Sequence, residues 1–225
     1  MQHIAFIMDG NRTWAKEHLL PSFEGHRRGY ENTKKIIRLV KKKGIPYVSI
    51  WALSDDNIMN RSKEEVKYLF ELLTKGMLDI AKEAKEEGNK IVVVGDRKLI
   101  PKKCLESIEY AETYTKDGTG ITTIVAIAYG GQEEMVRAVK KIVSDGLSED
   151  DISKDSLKKY VESAEYPPPD LIVRTGGHLR HSGFFLFQSP YAEYHFSPKN
   201  WPEFDEGDLD IAIEGFHNSK RNFGK

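Results

Sequence analysis

The sequence predicts an α/β protein: a mostly parallel sheet flanked by helices. Short apolar, β-type runs alternate with longer stretches of helical spacing, and the runs end repeatedly in polar turns. Neither an internal repeat nor a low-complexity tail interrupts the 225 residues, a length that suits one domain with its own core, so 1–225 is read as a single unit. Strands separated by helices require right-handed crossovers, and ligands of such sheets sit beyond the strands' carboxyl ends.

The elements follow in order. Residues 3–8 form an apolar run that stops at Asp9-Gly10-Asn11, which is turn chemistry. From Glu24 to Lys43, Ile36, Ile37, Leu39 and Val40 follow a helical spacing closed by Gly44. Tyr47 to Leu53 is a second strand, emptying into Ser54-Asp55-Asp56-Asn57. Lys63 to Glu87 is a long helix with Val66, Leu69, Phe70, Leu73 and Met77 on one stripe, able to wall a pocket. Lys90–Val94 and Ile121–Tyr129 are strands, with a helix from about Pro101 between them and another over Glu133–Ser144. Pro167-Pro168-Pro169 is stiff and extended and leads into a strand over Asp170–Arg174; Phe184–Phe187 and Glu193–Phe196 are expected to complete the sheet.

Composition narrows the function. Lys and Arg number 34 against 35 Asp and Glu, a formal charge of −1, so no basic field points to nucleic acid and any anion site is local. Lys34-Lys35 and Lys41-Lys42-Lys43 read as one solvated helix face. The single cysteine, Cys104, has no partner for a disulfide or zinc knuckle, which fits a reducing cytoplasm. Met1–Met8 lacks the pattern of a secretory signal, and no run of ~18 apolar residues spans a bilayer, although peripheral lipid contact stays open. Neither a Gly-x-x-x-x-Gly-Lys-Ser/Thr loop nor a Gly-x-Gly-x-x-Gly fingerprint follows any strand, which disfavours a nucleotide enzyme.

The polar turns at successive strand ends, Asp9 to Arg12, Ser54 to Asn57, Arg174 to Gly177 and nearby Arg180, can form one mouth. Glycines admit a backbone close to an anion, and arginine offers a planar fork suited to diphosphate oxygens. Each turn alone is ordinary turn chemistry; their convergence points to an anion site. Asp9 and Glu193 are candidate Mg²⁺ carboxylates, since that ion takes one or two and fills its shell with water and phosphate oxygens. Each also has a bland reading, Asp9 as a helix cap and Glu193 as a surface residue. His26 can donate to phosphate, though a lone histidine is more often structural.

His3 to Asn11, Trp14-Ala15-Lys16, Gly25-His26-Arg27, Ser54-Asp55-Asp56-Asn57, Gly95-Asp96, Tyr129-Gly130-Gly131, Pro169 to Gly177, Tyr191-Ala192-Glu193, Trp201 to Asp205 and Phe223-Gly224 together resemble, in order, the motifs of the cis-prenyltransferase family, typified by undecaprenyl diphosphate synthase. The resemblance implies a cytoplasmic, homodimeric enzyme whose one catalytic domain joins an allylic prenyl diphosphate to isopentenyl diphosphate through a new cis double bond, with Mg²⁺. On that pattern Asp9 is catalytic and metal-linked, and Gly10, Asn11, Arg12, Trp14 and His26 surround the allylic diphosphate. Asn57 takes part in proton removal beside Ser54, with Arg61 still in reach. Arg174, Arg180 and Ser182 clamp isopentenyl diphosphate, and Glu193 is the second metal carboxylate.

The chain departs from the family pattern around these sites. Arg12-Thr13 stands where Gly-Arg is usual, and Ser22 where an arginine is usual, a charged hydrogen bond worth about 1.5–3 kcal/mol. The loop after Asn57 is one residue longer, His178 replaces a glutamate, Ala128 an asparagine, and Asn222 the arginine of the C-terminal motif. The alternative these changes raise is the same fold with retained ionisation chemistry and relaxed acceptor use, either coupling that is not head to tail or O-prenylation of an alcohol. A non-catalytic subunit of a heteromeric enzyme fits less well, since such a subunit is expected to lose Asp9 and keep the C-terminal arginine.

Overall fold

The computed structural model describes residues 1–219, so the sequence expectations at Asn222 and Phe223-Gly224 lie outside the described residues. The elements are β1 (His3–Ile7), α1 (Asn11–Glu17), α2 (Ser22–Lys42), β2 (Tyr47–Leu53), α3 (Asp55–Asn60), α4 (Lys63–Glu86), β3 (Lys90–Val94), α5 (Lys102–Thr115), β4 (Thr122–Ile127), α6 (Gly131–Ser144), α7 (Lys154–Tyr160), β5 (Leu171–Arg174), β6 (Glu193–Phe196) and α8 (Glu206–Asn218). The strands form one sheet in the order β3-β4-β2-β1-β5-β6, every pair parallel. The chain steps from β1 to β2 on one side and later reaches β5 on the other. The carboxyl end of β1 is therefore the switch point, where ligand crevices of such sheets open.

Both faces of the sheet are covered, which is why its strands read as nearly continuous apolar runs. In β1 the side-chain alternation separates the layers: Ile4 and Phe6 join a core with α2, α4, α5 and α8, whereas Ala5 and Ile7 face Tyr129, Phe184 and Phe185. No helix among the described residues is long and apolar enough to cross a membrane.

The expected strand at Phe184–Phe187 is not formed. Ser182, Gly183 and Phe185 have φ of 49°, 84° and 47°, so the segment winds through left-handed turns that no strand tolerates. Its aromatic residues are apolar because Phe184 and Phe185 are buried, stacking on each other and on Trp51. Gly131 N–H donates to the Gly183 carbonyl at 3.1 Å, and Gln188 donates to buried Glu134 at 2.8 Å, which fixes the neighbouring Ser182. The polar turns read after β1 and β2 begin the short helices α1 and α3, capped in the second case by Ser54 Oγ accepting from Asn57 N–H. Helices α7 and α8 carry no expectation from the sequence reading.

Candidate active site

Gly10 caps α1 three residues after β1 with φ of 100°, and a Cβ there would meet Asn200 Oδ1 at 2.4 Å. Both constraints select glycine, and the sharp turn leaves Asp9 at the strand's mouth with its side chain 38% exposed. Arg174, the last residue of β5, stands in register with Ile7, two residues before Asp9, and its side chain is 5% exposed. Arg174 Nε and Nη2 donate to Asp9 Oδ2 at 3.0 and 2.6 Å, and Nη1 donates to Ser182 Oγ at 2.8 Å and to the Arg180 carbonyl. Thr175 Oγ1 donates to the Asp9 carbonyl at 2.7 Å, locking the turn from the same strand.

Above Asp9 a polar cleft of about 550 Å³ opens between α1, the start of α2 and Arg61. Helix α2 approaches α1 closely, because a Cβ on Gly25 would fall 2.0 Å from the Asn11 carbonyl. That approach brings His26 beneath the cleft. Glu65, on the first turn of α4, gathers one imidazole and two guanidinium groups: His26 Nε2 lies 3.0 Å from its Oε1, Arg61 Nη1 3.1 Å and Arg12 Nε 3.8 Å. Burial works to raise the Glu65 carboxyl, but the His26 hydrogen bond and the charges of Arg61 and Arg12 hold it below its ordinary value. Burial lowers the His26 imidazole, and the Glu65 hydrogen bond only partly offsets it, so the ring is neutral at pH 7.

A second polar cleft of about 320 Å³ lies on the other side of Asp9, bordered by Ser54, Asn57, Arg174, Arg180 and Ser182. Asp9, Arg61 and His178 border both clefts. Beneath them an apolar slot of about 80 Å³ runs between α2, α4 and the sheet. Met8, Asn11 and His26 border all three spaces, so two anion-friendly clefts and one lipophilic slot meet at a single point.

The structure thus gathers Asp9, Gly10, Asn11, Arg12, His26, Ser54, Asn57, Arg61, Arg174, Arg180 and Ser182. Two expected residues are elsewhere. Trp14 turns away from the cleft lining and stacks on His18, their rings 4.3 Å apart. Glu193 starts β6 opposite Leu171, three residues before the register of Arg174, and its Oε1 accepts from Ser219. Three residues of strand rise put it about 10 Å along the sheet from the level of Arg174 and Ile7, and Asp9 lies two residues beyond Ile7, so one chain does not bring the two carboxylates together. Among the described residues there is no group of three or more His, Cys, Asp or Glu side chains arranged to hold a metal.

The sequence reading missed Glu65 and Lys16, which also borders the first cleft. Glu65 follows Ser62 at capping-box spacing, and Ser62 Oγ does accept from Glu65 N–H at 3.2 Å. Its carboxylate instead leaves the helix end for His26, Arg61 and Arg12. The departures Thr13, Ser22 and His178 all border the first cleft, and His178 borders the second as well.

The sequence model of a family described as "Putative undecaprenyl diphosphate synthase" matches residues 7–224. The isoprenyl transferase of Neisseria gonorrhoeae is 37% identical over 224 residues, covering 100% of this chain and 89% of that protein; that of Clostridium perfringens is 37% identical over 227 residues, covering 99% and 89%. The crystal structure of lavandulyl diphosphate synthase from Lavandula x intermedia, in complex with dimethylallyl diphosphate, superposes with a TM-score of 0.95 at 35% identity, covering 100% of this chain and 98% of that one. A probable undecaprenyl diphosphate synthase from Campylobacter jejuni superposes at 0.84 with 27% identity, covering 100% and 99%. With a family match across nearly its whole length, full-length relatives and the same α/β architecture, the chain belongs to the cis-prenyltransferase family and is an enzyme that transfers prenyl groups.

Proposed function

We propose that this enzyme, as one catalytic domain, condenses an allylic prenyl diphosphate with isopentenyl diphosphate to give a cis-prenyl diphosphate, with Mg²⁺ and as a homodimer. The observation that carries the reading is the meeting of two polar clefts and one apolar slot at Met8, Asn11 and His26. Two diphosphates and one hydrocarbon chain need such a junction.

In this reading the allylic diphosphate lies in the first cleft, where Arg12, Lys16 and Arg61 stabilise the charge that builds on it as the carbon–oxygen bond breaks. Arg12 and Arg61 stand ready before the reaction, held by Glu65, so they need little reorganisation at the barrier. The acceptor diphosphate lies in the second cleft against Arg180 and Ser182, with Arg174 fixing Ser182 from behind. Asn57 faces the same cleft and orients the proton that leaves the acceptor carbon.

The family's chemistry is divalent-metal dependent, and Asp9 suits such an ion: it is a partly exposed carboxylate at the border of both clefts, and magnesium takes one or two carboxylates with phosphate oxygens. Bound there, Mg²⁺ supplies charge that neutralises the departing diphosphate. Glu193 cannot share that ion within one chain; a shared centre would draw it from a second copy.

A second reading keeps the donor and changes the acceptor, to another allylic diphosphate coupled otherwise than head to tail or to an alcohol that is O-prenylated. It is favoured by the similarity to lavandulyl diphosphate synthase in complex with dimethylallyl diphosphate, and by His178, a departure from the family pattern that also borders the second cleft. The test is incubation with Mg²⁺ and dimethylallyl, geranyl, farnesyl or geranylgeranyl diphosphate, with and without isopentenyl diphosphate, followed by mass spectrometry. Regular cis-prenyl products that require isopentenyl diphosphate support the first reading. Branched products or ethers formed without it support the second, and no product in any arm removes both.

A further inference from the structure

Helix α1 has only 7 residues, too few to hold a helix in water by itself. Its placement matters, because Arg12, Thr13 and Lys16 of the first cleft all lie on it. Gly10 at its head supplies no side-chain cap, and Leu19 just beyond its end turns left-handed with φ of 56°. What fixes α1 is therefore outside it. One side packs on α2, where Gly25 lies against Asn11 and Ala15. The other side is held by Asn200.

Asn200 is buried, and its one amide group reaches both ends of the helix. Its Oδ1 takes the space that a Cβ on Gly10 would need, and its Nδ2 donates to Glu17 Oε2 at 2.8 Å. Glu17 is the last residue of α1, where a carboxylate meets the negative end of the helix dipole, so the helix itself gains nothing from it. Its bond to Asn200 gives it a use. Asn200 in turn stands on a fixed base. Trp201 donates from its N–H to the Asp9 carbonyl and from Nε1 to the Gly29 carbonyl of α2, both at 2.9 Å. The Lys199 carbonyl accepts from Gly176 N–H at 2.7 Å. The segment that carries Asn200 thus bears on the Asp9 turn, on α2 and on the loop leading to Arg180.

We propose that Asn200 is a positioning residue of the first cleft: by bridging Gly10 and Glu17 it fixes α1 against the Asp9 turn, so that Arg12 and Lys16 meet an allylic diphosphate at a set distance from that carboxylate. The proposal rests on the reading of the first cleft as the allylic diphosphate site. Neither Asn200 nor Glu17 borders either polar cleft, so their effect passes through α1.

The test is a double-mutant cycle read by binding. The non-ionising thiolodiphosphate analogue of geranyl diphosphate is titrated by calorimetry into wild type, Asn200→Leu, Glu17→Met and the double variant, each checked for native circular dichroism. Isopentenyl diphosphate is then titrated into each protein saturated with the analogue. Asn200→Leu keeps the shape of the side chain without its donor, and Glu17→Met, at an exposed helix end, keeps the test open if the first variant does not fold. Each single variant should weaken the analogue by about five- to tenfold, and the double variant by no more than either. Glu17→Gln removes the charge but keeps an oxygen for Asn200, and it should bind within about twofold of wild type. Isopentenyl diphosphate should bind all of them alike. Singles that bind the analogue as wild type does, losses that add in the double variant, a Glu17→Gln protein as weak as Glu17→Met, or an equal loss for isopentenyl diphosphate would overturn the positioning role alone. Analogue binding that Arg12→Ala does not weaken, or none by wild type, would overturn the cleft assignment beneath it.

Discussion

Both donors that Arg174 directs at Asp9 land on the same oxygen, Oδ2, at 3.0 Å from Nε and 2.6 Å from Nη2. The other carboxylate oxygen takes no hydrogen bond from a described residue. Asp9 is thereby oriented by a buried cation while part of its carboxylate still faces the clefts. Arg174 has a further duty, since its Nη1 holds Ser182. The residue expected to clamp a substrate is already spent on building the site, which leaves Arg180 as the arginine of that group with its charge free for an anion.

This pairing separates two variants of Asp9. Asp9→Asn keeps an oxygen for Arg174 and removes the negative charge, so turnover should fall by about 10²–10⁴ while the melting temperature moves little. Asp9→Ala leaves Arg174 buried without its counter-ion. Because water reaches Asp9, the added cost is about 1–3 kcal/mol rather than that of a fully buried broken pair. Diphosphate release and calorimetric unfolding, measured on both variants, check this. An Asp9→Asn enzyme with near-normal rate would remove Asp9 from the chemistry.

Ser22 offers a gain-of-contact prediction. It borders the first cleft at the head of α2, where the family pattern carries an arginine. Ser22→Arg should place a guanidinium beside Arg12 and Lys16 and tighten allylic diphosphate binding by about 1.5–3 kcal/mol, or ten- to a hundredfold. The gain should shrink as salt is raised, because the cleft is open to solvent. Equilibrium titration at two ionic strengths reads both effects, and an unchanged affinity would mean the loss of arginine at this position has no bearing on the diphosphate.

What the sequence made legible follows from which interactions are local. Strand order in the chain, the turns at Asp9 and Ser54 and the gathering of polar residues at the strand ends could be read because each depends on near neighbours or on a resemblance of contiguous motifs. Phe184–Phe187 misled because burial on an aromatic cluster gives a segment the same apolar composition as a strand; only its left-handed backbone separates them. Glu65 was invisible for a different reason. Its spacing from Ser62 has a sufficient local explanation, whereas its partners His26 and Arg12 lie 39 and 53 positions away. Glu193 looked like part of the site by motif, but the parallel register sets it at the other end of the sheet.

The Glu65 cluster predicts how His26 titrates. Burial and the Arg61 charge lower its imidazole, and Glu65 is the group that raises it. His26 should therefore titrate below the ordinary 6.5, and in Glu65→Gln it should move lower still, since the cations remain and the counter-charge is gone. Ring-proton NMR across pH 4–8 shows the direction. An upward move in Glu65→Gln would mean that the carboxylate does not face the ring in solution.

His3 should govern part of the acid response of the fold. It is 1% exposed, its Nδ1–H donates to the Pro167 carbonyl at 2.7 Å, and its Nε2 accepts from Ser49 Oγ at the same distance. Burial is the main reason that its pKa falls to about 4 from 6.5. Between those values the unfolded chain binds a proton that the folded chain refuses, so stability is complete above pH 6.5 and declines as pH falls toward 4. The full difference is about 3 kcal/mol at 1.36 kcal/mol per unit. Asparagine at this position preserves a donor toward Pro167 and has nothing to titrate. His3→Asn should thus be less stable than wild type at pH 7, and the gap should narrow by about 2–3 kcal/mol at pH 4.5. Urea unfolding at both pH values isolates the effect, because the carboxylates that also titrate are common to the two proteins and cancel in the comparison. Parallel pH curves for the two proteins would show that His3 is protonated in the folded state, contrary to its buried pairing.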